Sequence, residues 1–258
     1  MRTRVRFFVL AVALQLTIIG CSKKESGEPA EPPAPTAVVD PSTAGSITGT
    51  VKFEGAPPAF KPIDMNAEAA CVQANSKPVI PPIVVTGEKG ALANVVVYVK
   101  SGLGGYRFDV PASPAVLTQK GCMYEPRVLA VMARQTLEIR NEDPTIHNVH
   151  PMPRENRGWN KSEPVGDPPI EESFTKPELA IPIACNIHPW MRAYLFVFAH
   201  PYFAVTSTTG AFELKNLPPG TYTIEAWHER FGMLDVSVTI APRESKSVSF
   251  TFKPAESH

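Results

Sequence analysis

The side chains with the clearest chemistry stand close together in the run Cys185-Asn-Ile-His188-Pro-Trp-Met191. A second histidine, His147, lies upstream in the run Ile-His-Asn-Val-His. One thiolate, two imidazoles and one thioether are the ligands of a mononuclear copper electron-transfer centre, in which Met binds weakly along the axis. One short loop can supply three of these ligands, and His147 ties the site to a distant strand. We therefore expect one type 1 copper ion at His147, Cys185, His188 and Met191, and single-electron transfer as its chemistry.

Other metal sites fit this donor set less well. Zinc prefers a closed tetrahedron of four N, S or O ligands, so a thioether makes a poor fourth ligand. A binuclear copper centre needs a second Cys in the loop and a multicopper oxidase needs His-x-His pairs, and the sequence has neither. Nothing offers an open coordination position beside a general base, so we expect no enzyme. Copper storage or delivery, a structural or binding role, and membership of an oxidoreductase complex remain open as alternatives.

The N-terminus is typical of an exported protein. Three arginines within the first six residues precede an apolar run, and Gly20 stands directly before Cys21. A basic start followed by an apolar run indicates an export signal, and a small residue before Cys resembles a bacterial lipobox, in which that Cys is lipidated. We expect residues 1–20 to be a lipoprotein signal peptide and Cys21 to carry the lipid. A plain signal peptide and a membrane anchor are the alternatives.

The segment after Cys21 predicts a tether. Residues 21–45 are rich in Pro, Glu, Ala and Ser and poor in large apolar residues, a composition that stays disordered. The protein would then stand on the periplasmic side of a bacterial envelope, with the outer membrane favoured over the inner. Its 25 basic and 25 acidic residues balance, which indicates no nucleic-acid surface. We expect its partners to be the membrane and redox proteins of the envelope.

The cysteine count predicts a disulfide. Apart from Cys21, the chain has Cys71, Cys122 and Cys185, an odd number for an oxidising compartment. If Cys185 binds metal, Cys71 and Cys122 are free to pair. We expect a structural disulfide between them, with a second metal site as the alternative.

Nearly every structured segment has the pattern of a β-strand. Apolar and polar residues alternate over residues 46–53 and 93–100, and this period of two indicates strands. Two apolar stretches within residues 128–139 are parted by a turn near Ala133 and Arg134. No segment shows a long helical period, and the 28 prolines favour turns between strands. The sequence therefore predicts an all-β chain of sandwiches or barrels.

The middle of the chain, residues 114–203, resembles a cupredoxin, and within that family the amicyanin branch. The matching stretches are Tyr124-Glu-Pro126, Arg140-Asn-Glu-Asp143, His147-Asn-Val-His150 and Cys185-x-x-His188-Pro-x-Met191-Arg192. The ligand loop is more compact than in plastocyanin or azurin. The resemblance implies a Greek-key β-sandwich with a single copper ion. Ala133-Arg134, where a turn glycine is common, departs from the pattern.

A second resemblance flanks the first. Residues 206–240 resemble the later half of a carboxypeptidase-regulatory, prealbumin-like domain, and residues 49–51 with 93–97 resemble its earlier half. The later half is matched through Gly210, Phe212, Leu214, Leu217, Gly220 and Tyr222. We expect residues 46–110 and 204–254 to be the two halves of one small prealbumin-like sandwich, with the cupredoxin inserted between them. Two domains in series are the alternative.

The amicyanin resemblance also selects among the histidines. His147 and His150 stand three residues apart, so on a strand their side chains point to opposite faces. The family match favours His147 as the ligand, because Asn148 follows it as in the family. There Asn148 is implied to hold the ligand loop against the first-ligand strand by hydrogen bonds. Weaker candidates, which we do not assign to copper, are His200, His228 and His258.

Two residues beside His188 are implied to shape the site. Pro189 restricts the backbone of the ligand loop. Trp190 either packs as a core aromatic or lines an apolar rim, through which electrons leave by an exposed edge of the His188 imidazole. The sequence favours the rim.

Overall fold

The computed structural model describes residues 37–254 of the 258-residue chain. Within this range lie sixteen strands, the α-helix α1 (Ala69–Ala74) and one 3₁₀ turn (Glu88–Gly90). The strands are β1 (Gly45–Phe53), β2 (Val96–Ser101), β3 (Ala115–Lys120), β4 (Met123–Glu125), β5 (Val128–Met132), β6 (Leu137–Asn141), β7 (His147–Pro151), β8 (Lys161–Glu163), β9 (Ile170–Glu172), β10 (Glu178–Ala184), β11 (Arg192–Phe198), β12 (Phe203–Val205), β13 (Ala211–Leu217), β14 (Gly220–His228), β15 (Gly232–Ile240) and β16 (Ser245–Phe252).

Strands from the two ends of the described chain form one sandwich. One sheet has the order β13-β1-β16, and the other has the order β12-β2-β14-β15. β1 pairs with β13 at Gly49 and Phe212, and β2 pairs with β14 at Val99 and Ile224. Segments far apart in sequence therefore complete one apolar core. Its buried members include Ile47, Val51, Leu92, Val97, Leu214 and Phe250.

The middle of the chain forms a second sandwich, which carries the predicted ligands. Its sheets have the orders β5-β11-β10-β7-β8 and β4-β3-β6-β9. The buried residues between them include Leu117, Leu137, Ile139, Val149, Ile183 and Leu195. Cys185 and Met191 belong to the same core, so the ligand loop is packed against the interior of this sandwich.

An apolar interface joins the two sandwiches. Side chains of a strand alternate between its faces, and alternate residues of β2 and β11 contribute to different cores. The interface contains Val96, Tyr98, Val128, Phe196 and Phe198. A strand that is apolar on both faces is covered by a layer on each side. At the edge of this interface, Arg127 Nη2 donates to Glu229 Oε2 at 2.8 Å, a buried ion pair between the sandwiches.

The all-β class predicted from the alternation is confirmed. Part of the predicted tether is folded: Ala37, which the composition places in the tether, donates its N–H to the Gly105 carbonyl at 2.9 Å. The predicted signal peptide, Cys21 and residues 21–36 of the tether lie outside the described residues, as does His258. No helix within residues 37–254 is long and apolar enough to cross a membrane.

The long connection between β1 and β2 contains α1, which the sequence analysis did not predict. The N–H of Ile63 donates to the carbonyl of Val79 at 2.8 Å and closes residues 63–79 into a loop, which we call the cap segment. Met65 and Cys71 of the cap segment are buried in the core of the second sandwich. The cap segment is thus attached to the sandwich that carries the predicted ligands.

Candidate metal centre

The potential ligands come from the adjacent ends of two paired strands. His147 begins β7, Cys185 directly follows β10, and the two strands pair in antiparallel orientation. His188 and Met191 follow in the loop before β11. The N–H of Cys185 donates to the Met191 carbonyl at 3.2 Å, and that of Met191 donates to the His188 carbonyl at 2.9 Å. These bonds close the loop into a tight turn that brings its donors to the end of β7.

Three donor atoms converge in the interior. The Nδ1 atoms of His147 and His188 are 2.9 Å apart, and Nδ1 of His188 is 3.9 Å from Sγ of Cys185. One ligand atom from each of the three residues lies within 4.8 Å of the others. Their exposed fractions are 0%, 2% and 2%, in the order His147, Cys185, His188, and Met191 is fully buried. Two imidazole nitrogens and a sulfur in a dry site fit a soft transition metal such as copper.

Hydrogen bonds fix the sulfur of Cys185. The backbone N–H of His188 donates to Sγ at 3.3 Å, and Oδ1 of Asn148 lies 3.3 Å from Sγ. The same Oδ1 accepts the N–H of Asn186 at 2.6 Å, so Asn148 connects β7 to the ligand loop. Burial would raise the pKa of Cys185, but His147 and the surrounding N–H groups outweigh it and lower that pKa. A lowered pKa makes the thiolate, which is the form that binds metals, easier to form.

Asp143 holds the imidazole of His147 in place. Its Oδ2 lies 2.9 Å from Nε2 of His147 and accepts the N–H of Cys122 at 2.7 Å, while Oδ1 accepts the N–H of Gly121 at 2.6 Å. Because Nε2 faces the carboxylate, Nδ1 is directed at the other donors. Burial would lower the pKa of His147, but Asp143 and Cys185 outweigh it and raise the pKa to about 9.

Sequence reasoning assigned no role to Asp143 or Tyr124. The hydroxyl of Tyr124 donates to the Asn148 carbonyl at 2.6 Å and also contacts the Ala184 carbonyl at 3.2 Å, which joins β7 to β10 beside the site. A usable clue for Asp143 was present, since it lies four residues before His147 in a motif already matched to the family. Tyr124 also lies in a matched motif, but its partners Asn148 and Ala184 are distant in sequence. Its role could therefore be seen only in the folded structure.

The remaining predicted residues take these positions. Cys71 and Cys122 are joined by a disulfide, and Cys185 is the free cysteine of the described residues. His150 stands apart from the donor group, with its Nδ1 3.2 Å from Oδ1 of Asn186. Pro189 is exposed on the ligand loop.

Two further histidines lie outside the donor group: His200 follows β11, and His228 ends β14. His200 places Nε2 2.9 Å from the Val99 carbonyl, and the ring of His228 stacks on Phe231 with centroids 4.7 Å apart. Burial lowers the pKa of both histidines to about 4. Neither belongs to the donor group of His147, Cys185 and His188.

The expectation of an exposed His188 edge is wrong. His188 is only 2% exposed. The Oε2 atom of Glu68, in the cap segment, lies 3.7 Å from Nε2 of His188. Trp190 is half-buried: its ring centroid is 5.2 Å from that of His188, and its Nε1 donates to the Cys122 carbonyl at 3.0 Å.

The raised pKa of His147 predicts a pH-dependent metal affinity. Below pH 9 the metal-free protein holds a proton on His147, and a metal bound at its Nδ1 must displace that proton. We expect the dissociation constant for Cu(I) to rise by about tenfold or more for each pH unit lost between pH 8 and pH 6. Anaerobic competition with a chelator, corrected for the chelator's own protonation, measures this slope. A constant affinity over that range would contradict the prediction.

Comparisons with known proteins give limited likenesses. No protein-family model matches the chain, and no curated protein matches it. An oxidised mutant of amicyanin is 19% identical and covers 39% of this chain and 97% of its own, with a TM-score of 0.29. A purple cupredoxin from Nitrosopumilus maritimus is 20% identical and covers 32% of this chain and 98% of its own, with a TM-score of 0.28.

An enzyme is among the similar structures. The Cu-containing nitrite reductase (NirK) from Thermus scotoductus SA-01 is 23% identical over 38% of this chain, with a TM-score of 0.31. The chain spans only 25% of the length of that reductase. At these identities and TM-scores, the likenesses establish neither the family nor the function of the chain. What is established is an all-β protein with a buried group of two imidazoles and one thiol.

Proposed function

We propose that the chain binds one copper ion through His147, Cys185 and His188, with Met191 as a weak fourth ligand, and passes single electrons between redox proteins. The observation that carries this proposal is the convergence of one ring nitrogen from each histidine and the Sγ of Cys185 within 4.8 Å of one another. Copper at that point would supply a one-electron couple between Cu(II) and Cu(I). The ligand set is the one that type 1 electron-transfer sites use.

The protein's own contribution is to hold the donors still. Asp143 orients His147, Asn148 connects the ligand loop to β7, and the N–H of His188 fixes the sulfur of Cys185. Such outer contacts orient ligands and tune a bound metal. A donor set that keeps one geometry in both oxidation states suits electron transfer, and its burial keeps water away from the metal.

Burial also favours a shuttle over a carrier that surrenders copper. A storage or delivery protein hands its metal to a partner through ligand exchange, which requires accessible donors. Here the three donor residues are at most 2% exposed. Electron transfer, by contrast, does not require a partner to reach the donor atoms. We therefore propose neither copper delivery nor a catalytic step for the chain.

The cellular setting belongs to the same proposal. The basic and apolar N-terminus and the Gly20-Cys21 pair support export and lipidation. We place the folded part on the periplasmic side of a bacterial envelope, tethered by Cys21, with the outer membrane favoured. Its electron donor and acceptor would be envelope proteins.

The two histidines of β7 give a direct test. His147→Ala should abolish the copper site and weaken Cu(II) binding by more than about 100-fold, because it removes a ligand rather than an outer contact. His150→Ala is the matched control on the same strand, and it should leave affinity and colour largely intact, since His150 contacts Asn186 instead of the donors. Copper titration followed by visible absorption compares the two variants. A colourless His150→Ala protein beside a coloured His147→Ala protein would overturn the ligand assignment.

A further inference from the structure

The imidazole of His188 has one ring nitrogen without a hydrogen bond. Its Nδ1 faces His147 and Cys185, while its Nε2 is buried and has no hydrogen-bond partner among the described residues. The equivalent nitrogen of His147 is served by Asp143 at 2.9 Å. The two predicted imidazole ligands therefore differ: one has a carboxylate in contact, and the other has a carboxylate just out of reach.

That second carboxylate belongs to Glu68. Its Oε2 lies 3.7 Å from Nε2 of His188, and its side chain is 35% exposed. A separation of 3.7 Å is too long for a hydrogen bond, which needs about 2.7–3.2 Å. Closing it requires a movement of less than about 1 Å, which a partly exposed glutamate can make by rotation of its side chain.

The cap segment keeps Glu68 at this position. Cys71, three residues after Glu68, is bonded to Cys122 of the second sandwich. Asn75 donates from Nδ2 to the Gly121 carbonyl at 2.9 Å, and the base of the cap segment is closed by the bond between Ile63 and Val79. Cys122 also donates its N–H to Asp143. The disulfide thus connects the segment that carries Glu68, near His188, to Cys122, whose N–H binds Asp143 beside His147.

The chemistry of a metal-bound imidazole requires an acceptor here. When Nδ1 binds a metal, the proton of the ring must reside on Nε2. A buried N–H without an acceptor destabilises the structure, and metal-binding histidines almost always donate their second N–H to a carboxylate, carbonyl or water. The carboxylate of Glu68, 3.7 Å from this nitrogen, can serve as that acceptor.

We infer that Glu68 is a positioning residue of the metal centre: its carboxylate accepts a hydrogen bond from the Nε2–H of His188 and shields that imidazole from solvent. This inference rests on the proposed function. A negative charge beside a ligand stabilises Cu(II) relative to Cu(I), so Glu68 lowers the reduction potential. Because the cap segment covers the edge of His188, electrons pass through protein atoms there and not from an imidazole in contact with solvent.

Three variants test this role in the copper-loaded full chain. Glu68→Gln keeps the size and an acceptor oxygen but removes the charge. It should shift the equilibrium toward Cu(I) by about tenfold, which corresponds to about +59 mV for one electron. Glu68→Asp keeps the charge and should retain most of the wild-type potential. Asp64→Asn removes a charge from an exposed site of the cap segment and should change the equilibrium by less than about twofold.

A second measurement separates positioning from general stability. In the Cu(I) protein, the Nε2 proton of His188 should exchange slowly with water, as detected by proton–nitrogen NMR. Glu68→Ala, which removes the acceptor, should speed this exchange at least tenfold. If Glu68→Gln has the same potential as Asp64→Asn, and Glu68→Ala has the same exchange rate as Asp64→Asn, the role of Glu68 is disproved. If the wild-type chain shows no copper absorption that depends on Cys185, the proposed function itself fails, so the two failures are distinguishable.

Discussion

Replacing Cys185 with serine should abolish the intense visible absorption that we expect from the copper-loaded protein. That absorption arises from charge transfer between the thiolate and Cu(II), and serine offers no sulfur. Copper affinity should also fall by more than about 100-fold, since a ligand is lost and not merely an outer contact. The measurement is an optical titration with Cu(II), made in chains that carry Cys21→Ala so that Cys185 is the remaining free thiol.

The control for this experiment is folding. Serine is close to cysteine in size, so the metal-free variant should keep its β-sheet circular dichroism and its thermal transition within a few degrees of the parent. Cys21→Ala alone should keep its colour, because Cys21 lies in a segment expected to be a tether. A Cys185→Ser protein that retained the absorption would show that the sulfur donor has been misassigned.

Removing the disulfide should give the second large effect. Cys71 and Cys122 are 51 residues apart, and a cross-link across such a loop stabilises the folded state by about 4 kcal/mol. The double variant Cys71→Ala/Cys122→Ala should lose about that free energy of unfolding in metal-free urea denaturation. It should also loosen the cap segment, so that the Nε2 proton of His188 exchanges faster than in the parent chain.

Thiol counting provides the control for this second prediction. Under denaturing, non-reducing conditions the parent chain should offer no alkylatable thiol at Cys71 or Cys122. Reducing the parent with a dithiol should bring its stability to that of the double variant. A loss of less than about 1 kcal/mol, or two reactive thiols in the parent, would contradict the structural role of the bond.

Much of the fold and the donor set was predictable from local patterns. The alternation in residues 46–53 and 93–100 marks β1 and β2, because a strand exposes successive side chains to opposite faces. The spacing of Cys185, His188 and Met191 predicts a single loop, since all three fall on one turn. Three cysteines remain besides Cys21. With Cys185 assigned to the metal, the sequence predicts that Cys71 and Cys122 pair with each other.

The surroundings of the donors were not predictable in the same way. Glu68 lies far before His188 in the chain, and no local pattern connects them. Helix α1 is too short to show a helical period, so nothing in the sequence marks the cap segment as ordered. The expected exposed edge of His188 was wrong for this reason: the covering residues reach the site only through the tertiary structure and the Cys71–Cys122 bond.

The site also shows how charge and burial act together. Burial alone would disfavour both a charged His147 and a thiolate at Cys185. The structure offsets that cost by placing the two beside each other, with Asp143 behind the imidazole. This pair is the metal-free counterpart of a site whose ligands must be deprotonated to bind. It explains why we expect acid to weaken metal binding.

The most direct test of the central claim is one titration of the full chain with Cu(II), followed by one cycle of reduction and reoxidation. Absorption that depends on Cys185 should grow up to one equivalent of copper and then stop. It should vanish on reduction and return fully on reoxidation, with the metal retained after gel filtration against a chelator. A chain that takes up no copper in this manner, or that releases it on reduction, would contradict the proposal that a buried site of His147, Cys185 and His188 serves as a one-electron shuttle.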